Sequence, residues 1–225
     1  AIAGTDIVYD AMFKQAGVIR VDEVEELFDV AAALLRQPLP KGRKVGILTS
    51  GGGFGCVITD ACERSGLDIA SLSPITIERL NAILPPRWPH ANPVDTVAAG
   101  FVTYPCLWPL MEDDNLNALI VVNAVAYPVE RHEWINNVPP AVRKEADKTF
   151  EVQEEEELKE LDKAFTYMDR YQKPLIISHA HTEGIKNSRT FKKLQDNGVV
   201  MYPTPERAAK VLAHLAEYSE YLSRC

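Results

Sequence analysis

No CxxC pair and no zinc-type spacing links Cys56, Cys62, Cys106 and Cys225, the cysteines of this 225-residue chain, which argues against a metal ribbon or a thioredoxin-like redox centre. No 18-residue apolar run that could cross a bilayer occurs, and no stretch resembles a signal peptide. The expected compartment is the cytoplasm. Basic residues are outnumbered: 24 Lys and Arg stand against 32 Asp and Glu, for a formal net charge of −8 and a pI near 5.2. With no basic block to offset that balance, neither nucleic acid nor a membrane surface is an expected partner. Lysine is also missing from the one glycine-rich turn, Ser50 to Gly55, which excludes a Walker A loop. What is present, 46% hydrophobic residues over 225 positions, suits one large α/β domain or one domain plus an appendage.

The chain opens on Ala1-Ile2-Ala3-Gly4 with no methionine, so a cut N-terminus is expected. Thr5 is a plausible N-cap for a helix in which Ile7, Val8, Ala11 and Met12 recur at helical spacing up to Gly17. Val18 to Val21 predicts a short strand. A second helix is expected from about Asp22 to Leu35, with acids in its first turns and Val24, Leu27, Phe28, Ala31 and Leu34 as its apolar face. Pro38-Leu39-Pro40-Lys41-Gly42 marks a boundary. Beyond it, apolar runs alternate with helical segments, which spells a doubly wound parallel sheet. Lys44 to Leu48, Ala118 to Asn123 and Pro174 to Ser178 are the strongest strands, with Leu67 to Ala70 and Val199 to Tyr202 shorter. In such a sheet, ligands collect at the carboxyl ends of the strands. The turns Ser50 to Gly55, Asn123 to Tyr127 and Ser178 to Gly184 should therefore share one edge.

The most informative of these is Ser50-Gly51-Gly52-Gly53-Phe54-Gly55, between a strand and a helix. A helix N-terminus leaves backbone N–H groups unpaired, and glycine lets a phosphate approach them closely. A dinucleotide fingerprint fails because its third glycine would fall on Cys56 and no acid ends the next strand. Cys56 as a nucleophile lacks an identifiable histidine partner. Asn92-Pro93-Val94-Asp95 presents two polar side chains beside the turn. Either Asp95 or Thr96 caps the helix that follows, or Asn92 and Asp95 order the loop next to the anion site. Glu154 to Glu157 precede Leu158, Leu161, Phe165 and Met168 in a long helix from Ala141 to Tyr171, where the glutamates are expected to be a solvated face. His179 and His181 flank Ala180 and could share a metal, but no third ligand is evident, so ordinary turn histidines are expected. The last helix, Pro205 to Leu222, packs through Ala208, Val211, Leu212, Leu215 and Tyr218.

Taken together, these stretches resemble the NDP-forming acyl-CoA synthetases, a family that includes ADP-forming acetyl-CoA synthetase and is related to succinyl-CoA synthetase. The resemblance spans Ala1 to Asp6, Phe13 to Val21, Glu26 to Asp29, Pro38 to Gly42, the glycine turn, Leu84-Pro85-Pro86 and Asn92 to Asp95 in the family's order. It implies an acid–thiol ligase that joins a small carboxylic acid, CoA and a nucleoside triphosphate through an acyl phosphate and a phosphohistidine. The resemblance places that histidine in a His-Thr-Gly just upstream of Ala1, so no catalytic residue is expected within the chain. It implies residues 1–37 as the end of the CoA-ligase domain and 38–225 as a flavodoxin-like α/β domain. Ser50, Gly51, Gly52, Gly53, Phe54 and Gly55, with Asn123 and Ala124 at a second helix start, are then the expected phosphohistidine-binding residues. CoA, ATP or ADP and Mg²⁺ serve the complete enzyme, with none expected to be tightly bound here. The implied partners are a CoA-binding Rossmann domain and an ATP-grasp domain or subunit, and a homo-oligomer is possible. Ser50 and Phe54 stand where the family commonly has asparagine and proline, so the turn keeps its backbone donors without that asparagine side chain. The alternative is a non-catalytic or regulatory module, such as part of a protein acetyltransferase.

Overall fold

Val45, Ile47 and Leu48, like Ala118 to Val122, form continuous apolar runs, the pattern of strands covered on both faces. The computed structural model describes residues 6–97, 102–123, 135, 137–180 and 185–224. Among these, the chain runs α1 (Asp6–Ala16), α2 (Val24–Arg36), β1 (Lys44–Thr49), α3 (Gly52–Arg64), β2 (Asp68–Ile69), α4 (Pro74–Ile83) and β3 (Val94–Asp95). It continues through α5 (Thr103–Glu112), β4 (Ala118–Val122), α6 (Pro140–Tyr171), β5 (Leu175–Ser178), α7 (Arg189–Asp196), β6 (Met201–Tyr202) and α8 (Pro205–Leu222). The strands form one six-stranded parallel sheet in the order β2-β1-β4-β5-β6, with β3 also paired to β1. This is the expected doubly wound α/β fold.

Strand side chains alternate between faces. Leu119 and Val121 of β4 point to a core shared with α4, α5 and α6, whereas Ala118, Ile120 and Val122 point to one shared with α2, α3 and α8. Ser73, Ser188 and Thr204 cap α4, α7 and α8, each accepting a backbone N–H three residues on. The expected cap Thr5 lies outside the described residues. The buried ammonium of Lys173 performs the opposite task for α5, donating to the carbonyls of Met111 (2.8 Å) and Asp113 (2.7 Å). Burial pushes its pKa down, with Asp114 and Asp113 opposing. Lys173→Met removes these charge-assisted bonds and is expected to destabilise the domain by about 2–3 kcal/mol, read as a lower urea midpoint at unchanged slope.

Three expectations are corrected. Val18 to Val21 is not a strand, because it finds no ladder partner among the described residues; Val18 N–H closes α1 on Phe13 O, and Ile19 and Val21 lean on the α2–α3–α8 core. The buried face of α2 is Glu26, Asp29, Val30 and Ala33, while Val24, Leu27, Phe28 and Ala31 are exposed. On that face Val30 and Ala33 enter the core shared with α3 and α8, and ion pairs to α8 lie beside them. Glu26 meets His214 (2.8 Å) and Lys210 (3.3 Å), and Asp29 meets Arg207 (2.7 Å). Burial pushes the Glu26 carboxyl up, but hydrogen bonds from His214 and Lys210 outweigh it and leave it below the usual range. Burial raises Asp29 beyond what Arg207 offsets. Finally, Glu157 does not belong to a solvated face. It is buried, accepting from Tyr104 Oη (2.7 Å) and Thr190 Oγ1 (3.1 Å). The helical period explains this, since 157, 161, 164 and 168 share the core-facing side of α6.

The same packing separates the thiols. Burial raises Cys62 and Cys106 to about 12, whereas Cys56 is exposed. Iodoacetamide at pH 8 should alkylate Cys56 and leave Cys62 and Cys106 unmodified until the chain unfolds, as peptide mass mapping would show.

Candidate functional site

β1 delivers the glycine turn to the carboxyl edge of the sheet. Thr49 clasps it there: its hydroxyl donates to Gly51 O (3.0 Å) and accepts from Gly51 N–H (3.3 Å). Gly51 is the N-cap of α3 in extended conformation and makes no side-chain cap bond, and the first bond across the cap is Gly55 N–H to Gly51 O (3.2 Å). The amides of Gly52, Gly53 and Phe54 therefore open α3 without the serine or threonine oxygen that closes α4, α7 and α8. Among the described residues, a Cβ placed on Gly51 or Gly53 would meet nothing within 4 Å. Among the described residues no side-chain cap meets these amides, which lie at the positive end of the α3 dipole.

Neighbouring loops hold this edge together. Ser50 Oγ donates to Asn123 O (2.7 Å), and Ala180 N–H donates to Asn123 Oδ1 (2.9 Å). Asn123 adopts φ 50°, a left-handed conformation that asparagine tolerates, and so ties the ends of β1, β4 and β5. β3 pairs with the end of β1 and sets Asp95 opposite Thr49. The Asp95 carboxylate accepts Val97 N–H (2.8 Å) with Oδ1, and its Oδ2 lies 3.3 Å from where a Cβ on Gly52 would sit. Neither Asp95 nor Thr96 caps α5, whose N-cap is Val102. Asn92 is not presented at the loop. Its amide fills the gap between β2 and β3 along β1, accepting Ile47 N–H (2.9 Å) and donating to Val45 O (2.7 Å) and Ala70 O (2.9 Å).

A cleft of about 990 Å³ lies away from this edge, between α4, α5 and α6, and is lined in part by Tyr104, Trp108, Glu112 and Glu156. It contains none of the expected site residues. His179 is buried, its N–H on Tyr202 O (2.9 Å), and no cluster of three metal-ligating side chains occurs among the described residues. Ala124 and His181 lie outside them.

Relatives extend this geometry. A family model, the succinyl-CoA ligase-like flavodoxin domain, matches residues 1–34. The ADP-forming acetate–CoA ligase of Methanocaldococcus jannaschii is 32% identical over 219 residues, 97% of this chain. Subunit alpha of the ADP-forming acetate–CoA ligase I of Pyrococcus furiosus is 32% identical over 227 residues, 100% of this chain. The chain is a relative of the ADP-forming acyl-CoA synthetases. It spans 28% of the length of the first of these synthetases and 43% of the second. The ADP-forming 4-hydroxybutyrate–CoA ligase of Nitrosopumilus maritimus is 30% identical over 99% of the chain, which covers 28% of that enzyme. Among solved structures, PH0766 of Pyrococcus horikoshii OT3 superposes with a TM-score of 0.72 at 27% identity, over 98% of this chain and 45% of that one. An acetyl-coenzyme A synthetase 1 of Ca. Korarchaeum cryptofilum shares the fold, with a TM-score of 0.72 at 23% identity over 100% of this chain and 44% of that one.

Of the expected site residues of this synthetase relative, Ser50 to Gly55, Asp95 and Asn123 meet at one edge, and Asn92 braces the sheet behind them. They divide by role. Gly52 to Phe54 offer donors, Ser50 and Asn123 tie loops, and Gly55 packs, its added Cβ falling 3.4 Å from Thr49 Cγ2 and 3.7 Å from Pro93 Cβ. Asp95, expected next to the anion turn, is brought beside Gly52 by the pairing of β3 with β1.

Proposed function

We propose that this chain is a domain of an ADP-forming acyl-CoA synthetase, converting a carboxylic acid, CoA and ATP to acyl-CoA, ADP and phosphate, and that its glycine turn receives the phosphoryl group of a phosphohistidine supplied from elsewhere in the enzyme. The observation that carries this reading is the start of α3 at the carboxyl edge of the sheet, where the amides of Gly52, Gly53 and Phe54 have no side-chain cap. Donors already fixed in place stabilise phosphoryl oxygens without reorganising as charge develops. The Asp95 carboxylate beside Gly52 makes the site a poor host for a free phosphate dianion. A phosphorylated imidazole suits it better, because it presents an anionic phosphoryl group and a ring N–H together, one for the amides and one for the carboxylate.

The test uses the full-length protein, incubated with γ-labelled ATP, CoA and a panel of short carboxylic acids. An acid-labile phosphoprotein and acyl-CoA are the expected products. Absence of both sinks the synthetase reading. A phosphoprotein that forms normally when Gly53 is replaced by a bulky residue removes the turn from the mechanism while leaving the reaction in place.

A further inference from the structure

Three helices of this domain are closed by a hydroxyl that accepts a first-turn amide, from Ser73 on α4, Ser188 on α7 and Thr204 on α8. Two hydroxyls stand just before α3, and neither is used in that way. Ser50 Oγ is engaged with Asn123 O (2.7 Å), and Thr49 Oγ1 turns to Gly51, the residue that precedes the helix. A serine or threonine at the N-cap itself would occupy an amide of the first turn. Placed one and two residues earlier, the same hydroxyls brace the turn and leave those amides without a side-chain cap.

Thr49 holds two consecutive peptide groups at once. Its hydroxyl donates to Gly51 O (3.0 Å), which belongs to the Gly51–Gly52 peptide, and accepts from Gly51 N–H (3.3 Å), which belongs to the Ser50–Gly51 peptide. In a planar trans peptide the C=O and the N–H point in opposite directions. Fixing Gly51 C=O therefore aims the Gly52 amide away from Thr49. Gly55 N–H also reaches Gly51 O (3.2 Å), as the first bond of the helix. Without the hydroxyl, that bond would be left to order a run of three glycines, which surrender more backbone freedom on folding than other residues. The mount of the hydroxyl is rigid by comparison. Thr49 is wholly buried in β1, paired with Val122 on one side and Asp95 on the other, and its Cγ2 lies 3.4 Å from where a Cβ on Gly55 would sit. A β-branched side chain seated by its methyl has little χ1 freedom left, so the oxygen stays on the Gly51 side.

We propose that Thr49 is a positioning residue for phosphoryl transfer: its hydroxyl sets the Gly51–Gly52 peptide so that the amides opening α3 already stand where a transferred phosphoryl group needs them. Thr49 itself, wholly buried, touches no substrate. The inference rests on the reading of the glycine turn as the phosphoryl-receiving site. Fixed donors speed transfer only when they need not move as charge develops, so a turn free to rotate loses rate even though every amide is retained.

Two substitutions in the full-length protein separate positioning from packing. Thr49→Val keeps the branched shape and deletes the oxygen, whereas Thr49→Ser keeps the oxygen and deletes the methyl. In single-turnover phosphorylation with γ-labelled ATP, Thr49→Val is expected to slow phosphoprotein formation at least roughly tenfold, and Thr49→Ser by no more than about threefold. A merely structural role would make the rates follow the melting temperatures. Thr49→Ser, which leaves a methyl-sized gap against α3, is instead expected to melt no higher than Thr49→Val and yet to react faster. Unchanged phosphorylation in Thr49→Val, or rates that rank with the melting temperatures, overturns the proposal. The peptide geometry is read without turnover. Isotope labelling of serine carbonyls together with glycine nitrogens reports by NMR only Ser–Gly peptide bonds, which in this chain are Ser50–Gly51 and Ser65–Gly66, at opposite ends of α3. Thr49→Val should shift or broaden the first signal and leave the second, which is identified by its loss in Ser65→Ala. A first signal that stays in place overturns the proposal whatever the rates. A wild-type protein that forms no phosphoprotein, while this signal responds as expected, sinks the synthetase reading and leaves Thr49 as the group that sets the turn.

Discussion

Gly53→Leu is expected to leave the domain folded and to lower kcat of the complete synthetase by about a hundredfold, the loss typical of removing a preorganised donor from a developing anion. The position is chosen by geometry. Among the described residues a Cβ on Gly53 meets nothing within 4 Å, one on Gly52 comes to 3.3 Å from Asp95 Oδ2, and one on Gly55 presses on Thr49 and Pro93. Replacing Gly52 would disturb the carboxylate, and replacing Gly55 would disturb packing, so of these three helical glycines Gly53 isolates the approach to the amides. Side chains on a helix lean toward its N-terminus, which aims the new group over the open donors. Gly53→Ala provides the intermediate step. It should raise stability by up to about 0.5–1 kcal/mol, because alanine loses less backbone entropy than glycine in a helix, and still slow the reaction. Thermal melts of the 225-residue chain check the first half. Single-turnover phosphorylation of the full-length protein checks the second, and unchanged kinetics for both variants would show that phosphate does not use this turn.

Asn92→Leu is expected to cost at least about 3 kcal/mol, because three backbone partners are orphaned at once in a partly buried strand edge. β1 is bordered at its start by β2, through Lys44 and Val45, and at its end by β3, through Leu48 and Thr49. The amide of Asn92 stands in the gap, accepting Ile47 N–H and donating to Val45 O and Ala70 O. It acts as a short substitute for backbone. Asn92→Asp keeps the acceptor for Ile47 but directs carboxylate oxygen at two carbonyls, so it should be no better tolerated. For a domain of this size the loss corresponds to a fall in Tm of about 6–12 °C. A shift of less than about 2 °C would mean that water or a neighbouring group replaces the amide.

Local pattern and tertiary context divide these findings along a clear line. The strands placed at Lys44, Ala118 and Pro174, the order of strand, glycine turn and helix, and the last helix from Pro205 to Leu222 were legible from apolar runs, glycine placement and helical period, although the helix expected from Cys56 begins at Gly52. Those are signals among neighbours in the chain. Asn92 was singled out for its place beside proline, but its partners lie 45, 47 and 22 residues away, and no spacing announces them. Glu157 belonged by period with Leu161, Ala164 and Met168, yet as one of four consecutive glutamates it read as surface until Tyr104 and Thr190 were seen to receive it.

α2 shows the limit most sharply. Its apolar stripe is written in the sequence, and so is its helix, because both depend only on side chains four residues apart or fewer. Which body that stripe meets is not written there. In this fold Arg207, Lys210 and His214, some 180 residues on, meet Glu26 and Asp29 beside the buried Val30 and Ala33, and Val24, Leu27, Phe28 and Leu35 stay exposed. By itself the sequence determined a doubly wound α/β sheet with bare donors at one edge, since local conformation and periodic burial suffice for that. The tertiary structure alone decided which groups surround those donors and which faces remain uncovered, because pairing across the sheet and between charges joins residues that chain order keeps far apart.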